Sequence, residues 1–120
     1  MYKIQSLANS LYFFGFHQNE KLVVVVGLEH FDTVALLRSL AVSVELRGSG
    51  LGRTLVQFAE SKARSMGVID LFLLTETAER FFTKLSYQNL SRENAPQVIK
   101  NTAQFSTLCP ATSSFMSKPL

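Results

Sequence analysis

The sequence predicts a single α/β domain: a mixed, mostly antiparallel sheet flanked by helices. Three observations carry that prediction. Apolar, largely β-branched or aromatic runs at residues 11–16, 22–28 and 34–44 are joined by short polar turns, the pattern of an antiparallel meander. The third run leads through a glycine-rich turn into a helical pattern and then another apolar run, a crossover that gives parallel pairing. With 120 residues, 47% of them hydrophobic and ten of them Phe, the chain can bury one core and not two, so residues 1–120 form one domain.

Taken in order, the first ten residues, MYKIQSLANS, show no clear period. LYFFGF (11–16) reads as a strand, HQNEK (17–21) as a turn and LVVVVGL (22–28) as a second strand. Gly27 inside that strand signals a bulge or the close approach of another backbone. Phe31-Asp32-Thr33 turns the chain into the third strand. Leu51, Leu55, Phe58, Ala59 and Ala63 then share one face of a helix, with Arg53, Glu60 and Arg64 off it, and Gly67 stops it. Residues 69–74 make a buried strand. Thr75-Glu76-Thr77 caps a helix over 78–85 with Phe81, Phe82 and Leu85 inward. Residues 87–90 form a short strand, Pro96 opens a short helix, and residues 112–118 close the sheet as a last strand.

Composition excludes several classes. No apolar run reaches the ~18 residues of a membrane span, and the leading segment lacks the apolar core of a signal peptide, so a cytoplasmic protein is expected. The lone Cys109 allows no internal disulfide, and without a Cys/His cluster no metal site is expected. Net charge is only +3, but its placement is uneven. Residues 47–66 carry four Lys/Arg against one Glu, while the rest of the chain is close to balanced. That excess suits a small phosphorylated molecule better than nucleic acid, which calls for a wider basic stripe.

The charged stretch holds the most informative motif, Arg47-Gly48-Ser49-Gly50-Leu51-Gly52, between strand and helix. Glycines let a ligand approach the backbone, and the following helix start adds about half a positive charge. No Gly-Lys-Ser/Thr follows, which argues against a P-loop, and G-x-G-x-G is not the dinucleotide fingerprint. A turn that only starts a helix is the plainer alternative. The R-x-x-G-x-G spacing, however, resembles the pyrophosphate loop of the GNAT N-acetyltransferase superfamily. LFLLTETAERFFTKLSY (71–87) is similar to that superfamily's second cofactor segment, and the T-A-Q-F…L-C-P tail resembles its arsenic-resistance-associated subgroup. The likeness covers roughly residues 22–120.

The resemblance implies acetyl-CoA as co-substrate in a cleft where the third strand and the 69–74 strand splay apart. Backbone N–H groups of Arg47, Gly48, Gly50 and Gly52, with Arg53 beside them, would hold the pyrophosphate, and Leu40 and Val42 would pair with the pantetheine arm. A small amine would be the acceptor. Glu29 is the first candidate for the base, against a solvated strand-end carboxylate; His30 reads as a surface turn residue. Arg38, inside an apolar strand, either faces the acceptor cavity or sits in an internal ion pair. Thr75 and Thr77 touch a ligand or cap the helix, and Cys109 reads as a small buried filler rather than a nucleophile. Three departures stand out. Phe82 replaces a tyrosine that protonates the leaving thiolate, Ser86 replaces a glycine, and the family's leading strand and helices are expected to be missing. An open edge on the 11–16 strand then favours a homodimer. Two functions follow: an N-acetyltransferase for a small amine, linked by the tail to arsenic or toxic-analogue resistance, or a CoA-binding module with an incomplete acceptor site, catalytically weak or completed by a partner chain.

Overall fold

The computed structural model describes residues 2–8, 10–108 and 110–120, with 2–8 and 108 by backbone alone. It begins with a four-stranded antiparallel meander: β1 (Tyr2–Ala8), β2 (Leu11–Gln18), β3 (Lys21–Phe31) and β4 (Val34–Val42). The β2–β3 turn is tight because Asn19 and Glu20 both take positive φ, 52° and 65°, which matches the twist of a two-residue hairpin. A 3-10 turn (Val44–Leu46) and the glycine-rich turn lead to α1 (Leu51–Ser65), and β5 (Asp70–Thr75) returns parallel to β4. The chain continues through α2 (Glu79–Lys84), β6 (Gln88–Asn89), a 3-10 turn (Arg92–Asn94), α3 (Gln97–Lys100) and a π-helical turn (Gln104–Leu108) to β7 (Ser114–Pro119).

The expected mixed sheet is present, with strand order β1-β2-β3-β4-β5-β7-β6. Three details differ from expectation. The leading segment, expected to lack a strand, forms β1 and pairs with β2 from Tyr2↔Phe16 to Ala8↔Leu11. The β2 edge that made a covering homodimer the expectation is therefore occupied within the chain. The final strand does not close the sheet at its rim but inserts between β5 and β6. Glu60, assigned to the polar side of α1, is only 3% exposed. The Tyr87 hydroxyl donates to it at 2.8 Å and the Lys118 ammonium at 3.0 and 3.1 Å, which is what makes a buried carboxylate tolerable.

Alternation along the strands sorts the core onto the two faces of the sheet. On one face Leu55, Val56, Ala59 and Ala63 of α1 pack with Phe14, Val24, Val26, Leu28, Ala35, Leu37, Leu71 and Leu73. On the other, Leu36, Phe72 and Phe115 meet Ala95 and Ile99, with Phe105 against them. At roughly 25 cal/mol per Å² of apolar surface, burial of this kind is the main term holding helices to sheet.

Candidate functional site

The site begins where β4 and β5 part. They pair only from Val34↔Asp70 to Leu37↔Leu73, although β4 runs on to Val42 and β5 to Thr75. A bulge sets the parting. Val25 pairs with Ala41 and Gly27 with Arg38, so Ser39 and Leu40 together face the single residue Val26. Ser39 takes φ 59°, a strained value for a residue with a Cβ. Gly27 lies beside it, and a Cβ there would stand 2.9 Å from the Phe13 ring and 3.0 Å from Arg38 Cγ, so those side chains would have to shift. The expected bulge is present, on β4 opposite Gly27, and the close approach comes first from the Phe13 and Arg38 side chains, with the Arg38 carbonyl oxygen at 3.3 Å.

Beyond the bulge, a groove of about 560 Å³ runs along β4 to the start of α1. Leu40, Val42, Arg47, Gly48, Gly50, Gly52 and Arg53 all line it, so the structure gathers the whole expected cofactor set in one place. Gly48 and Gly50 have φ of 84° and 89°, and a Cβ on either would meet no protein atom within 4 Å. Glycine is thus demanded here by backbone conformation, and it leaves the backbone approachable. Gly50 is the N-cap of α1 and offers no side-chain cap; the first helical hydrogen bond runs from Thr54 N–H to Gly50 O at 3.0 Å. The N–H groups before Thr54 are therefore left for another acceptor, at the positive end of a 15-residue helix with no acid in its first turn. The Arg47 guanidinium donates to Val42 O at 3.4 Å, and Arg53 stays exposed. An open backbone cradle flanked by two arginines suits a pyrophosphate. Ala41, Leu46, Ala78 and Phe81 complete the lining, and none was singled out as a ligand contact from the sequence. Apolar residues in helical or strand spacing carry no signal beyond core packing.

Leu40 and Ala78 are shared with a second cleft of about 300 Å³, lined also by Arg38, Ser39, Leu73, Thr75, Glu76, Thr77, Phe82 and Pro110. Of the two alternatives for Arg38, the ion pair is formed: its Nη1 donates to Glu29 Oε1 at 2.9 Å, half-buried, while the residue also lines this cleft. The two lie diagonally across β3 and β4, since Glu29 pairs with Leu36 and Arg38 with Gly27. Glu29 is not among the cleft's lining residues and reaches it only through Arg38. His30 bonds the Asp32 carbonyl through Nε2 at 2.8 Å, in the β3–β4 turn. Thr75 Oγ1, rather than Thr77, accepts the Ala78 N–H at 2.9 Å ahead of α2. Phe82 is buried, edge-on to Phe81 and Tyr87, with one side on the cleft. Cys109 lies outside the described residues. Glu76, not singled out from the sequence, is an exposed carboxylate that also lines the cleft and has no ion pair among the described residues. Its position inside a capping-type Thr-Glu-Thr run masked it.

Comparison with known proteins finds likeness in sequence and in fold. A family profile described as the acetyltransferase (GNAT) domain matches residues 9–89. An uncharacterized N-acetyltransferase of Chlorobaculum tepidum is 42% identical over 71 residues, 58% of this chain and 45% of that protein. The match thus spans less than half the length of that curated relative. Among solved structures, N-acetylglutamate synthase from Neisseria gonorrhoeae, complexed with coenzyme A and N-acetyl-glutamate, superposes with a TM-score of 0.79 at 22% identity, over 90% of this chain and 25% of that one. The PaiA N-acetyltransferase of Thermoplasma acidophilum, in complex with coenzyme A, gives 0.73 at 17% identity, over 92% and 62%. At these identities the likeness shows the fold.

Proposed function

From the premise that the chain belongs to the GNAT acetyltransferase domain family, we propose that it binds acetyl-CoA and transfers the acetyl group to the amine of a small molecule. The observation that carries the reading is the continuous groove from the uncapped α1 N-terminus, along Val42 and Leu40, into the cleft where β4 leaves β5. The pyrophosphate sits on the backbone of Arg47, Gly48, Gly50 and Gly52 with Arg53 beside it. The pantetheine arm pairs with the free side of β4 at Leu40 and Val42, and an N–H there polarises the thioester carbonyl.

The amine enters the smaller cleft. Its nitrogen attacks the carbonyl carbon, a C–N bond forms, the C–S bond breaks and CoA leaves as thiolate. A carboxylate takes the ammonium proton, directly or through water. Glu76 lines the cleft and is the group best placed for this, while Glu29 holds Arg38 against the acceptor. Phe82 offers no proton, so the thiolate draws on solvent. Positioning and charge stabilisation supply most of the acceleration. The finer assignment, an arsenical or another toxic amino-acid-like amine met in the cytoplasm, rests on the tail motif and the single cysteine. The second reading, a CoA-binding module completed by a partner chain, draws on the half-buried Leu11, Phe13 and Val25 on the sheet face away from α1.

Calorimetry with CoA and with pantetheine, which lacks the phosphates, tests the shared premise. CoA should bind at least ~10-fold more tightly, and Arg47→Glu with Gly50→Asp should abolish its binding by placing negative charge and bulk in the cradle. Equal affinity for the two ligands, or unaltered binding in the double variant, overturns it.

A further inference from the structure

We propose that Arg92 is a positioning residue for the acceptor side of the cleft, a role that rests on the transfer reading above. Arg92 stands early in the connection between β6 and β7. Its Nη2 donates two hydrogen bonds of 2.9 Å, to the carbonyl oxygens of Pro110 and Ser113. The guanidinium carbon lies 5.4 Å from the centroid of the Phe105 ring, and that ring packs edge-on against Phe115 of β7 at 5.4 Å. One side chain thus draws together three points of a segment that belongs to no strand ladder.

Pro110, alone among the described residues of this connection, lines the acceptor cleft. It has no N–H of its own to anchor it. Its carbonyl accepts from Ser113 N–H at 3.0 Å, closing a four-residue turn, and Arg92 bridges both ends of that turn. Ser113 is 5% exposed and directly precedes β7, so the far end of the turn is fixed to the sheet. Hydrogen bonds from an ionised donor are about twice as strong as neutral ones, and the planar guanidinium loses less freedom in forming them than an ammonium does. The place of Pro110, and with it the depth to which an amine can seat, is therefore set by Arg92, which itself does not line the cleft.

Arg92→Ala and Arg92→Lys would be compared with the parent chain by thiol release from acetyl-CoA with amines of increasing bulk: hydroxylamine, ethanolamine, putrescine and phenethylamine. Calorimetry with CoA and hydrogen–deuterium exchange complete the set. Arg92→Ala should raise KM for the bulkier amines about tenfold, the loss of roughly one charge-assisted bond. The hydroxylamine rate and CoA affinity should stay as they are, and Arg92→Lys should recover part of the loss. Equal loss on every amine, weaker CoA binding in step with KM, or a lysine variant no better than alanine overturns the proposal. A parent chain that binds CoA but acetylates no amine defeats the transfer reading alone. Exchange then decides whether Arg92 fixes the turn that places Pro110: faster exchange at residues 111–114 in Arg92→Ala, with α1 unchanged, upholds that placement, and unaltered exchange there overturns it.

Discussion

At the scale of single residues, the two carboxylates near the cleft differ in what they touch. Glu29 is spent on Arg38 at 2.9 Å, whereas Glu76 is exposed at the lining of the cleft and has no ion pair among the described residues. Removing each charge should therefore fail differently. Glu76→Gln keeps shape and loses the proton acceptor, so kcat should fall by about 10²-fold, the lower range for general base catalysis, with CoA affinity intact. Glu29→Gln leaves a half-buried guanidinium with a weaker partner, so the acceptor KM should rise and the melting temperature drop while kcat changes less. Steady-state kinetics and thermal melts of both variants check this; a larger kcat loss in Glu29→Gln would return the base to Glu29. The sequence drew attention to Glu29 because a carboxylate at a strand end is conspicuous. Glu76 was hidden in a run that reads as a helix cap.

Elements show the same balance between local and distant causes. Both longer helices end alike. After α1, Gly67 N–H bonds Arg64 O and Val68 N–H bonds Ala63 O; after α2, Ser86 N–H bonds Thr83 O and Tyr87 N–H bonds Phe82 O. Each is a Schellman ending, with the residue after the C-cap in the left-handed region: Gly67 at φ 89° and Ser86 at φ 78°. Glycine adopts that conformation freely and serine does not, so Ser86, standing where the resemblance expects a glycine, is held in a strained backbone conformation. Ser86→Gly should stabilise the chain by about 1 kcal/mol, read as a rise of a few degrees in melting temperature. An unchanged or lower value would mean that Ser86 earns its place through a contact absent from these helix-end bonds. These signals lie within a few residues of their effect, which is why helix ends, the meander and the crossover were legible. β1 was not: Tyr2-Lys3-Ile4-Gln5 alternates, but a register break between Ser6 and Ala8 shifts the phase before a period can build. The β4 bulge was announced only by Gly27 on the neighbouring strand, because it depends on how Arg38 lies across β3.

At the scale of the whole molecule, the loop and its groove were legible because one contiguous stretch builds most of them, while contacts between remote segments were not. The clearest such contact joins α1, the exit of α2 and β7. Glu60 accepts from Tyr87, 27 residues on, and from Lys118, 58 residues on. Tyr87 is 1% exposed, and burial first, then the Glu60 charge and its hydrogen bond, hold the phenol well above its ordinary value of 10.0, with Arg64 pulling slightly the other way. The sign follows from the folded state disfavouring phenolate. Below pH 10 Tyr87 is neutral in folded and unfolded chains alike, and its contribution is fully present. Above pH 10 only the unfolded chain releases the proton, so stability falls as pH rises toward the folded value. Urea unfolding should therefore give a midpoint that declines above about pH 10, beyond what Tyr87→Phe shows. At neutral pH the same variant should lose about 1–2 kcal/mol, the worth of a hydrogen bond to a charged group, with Lys118 still pairing Glu60. If parent and variant lose stability in parallel through the alkaline range, the proton on Tyr87 is not what ties these three segments together.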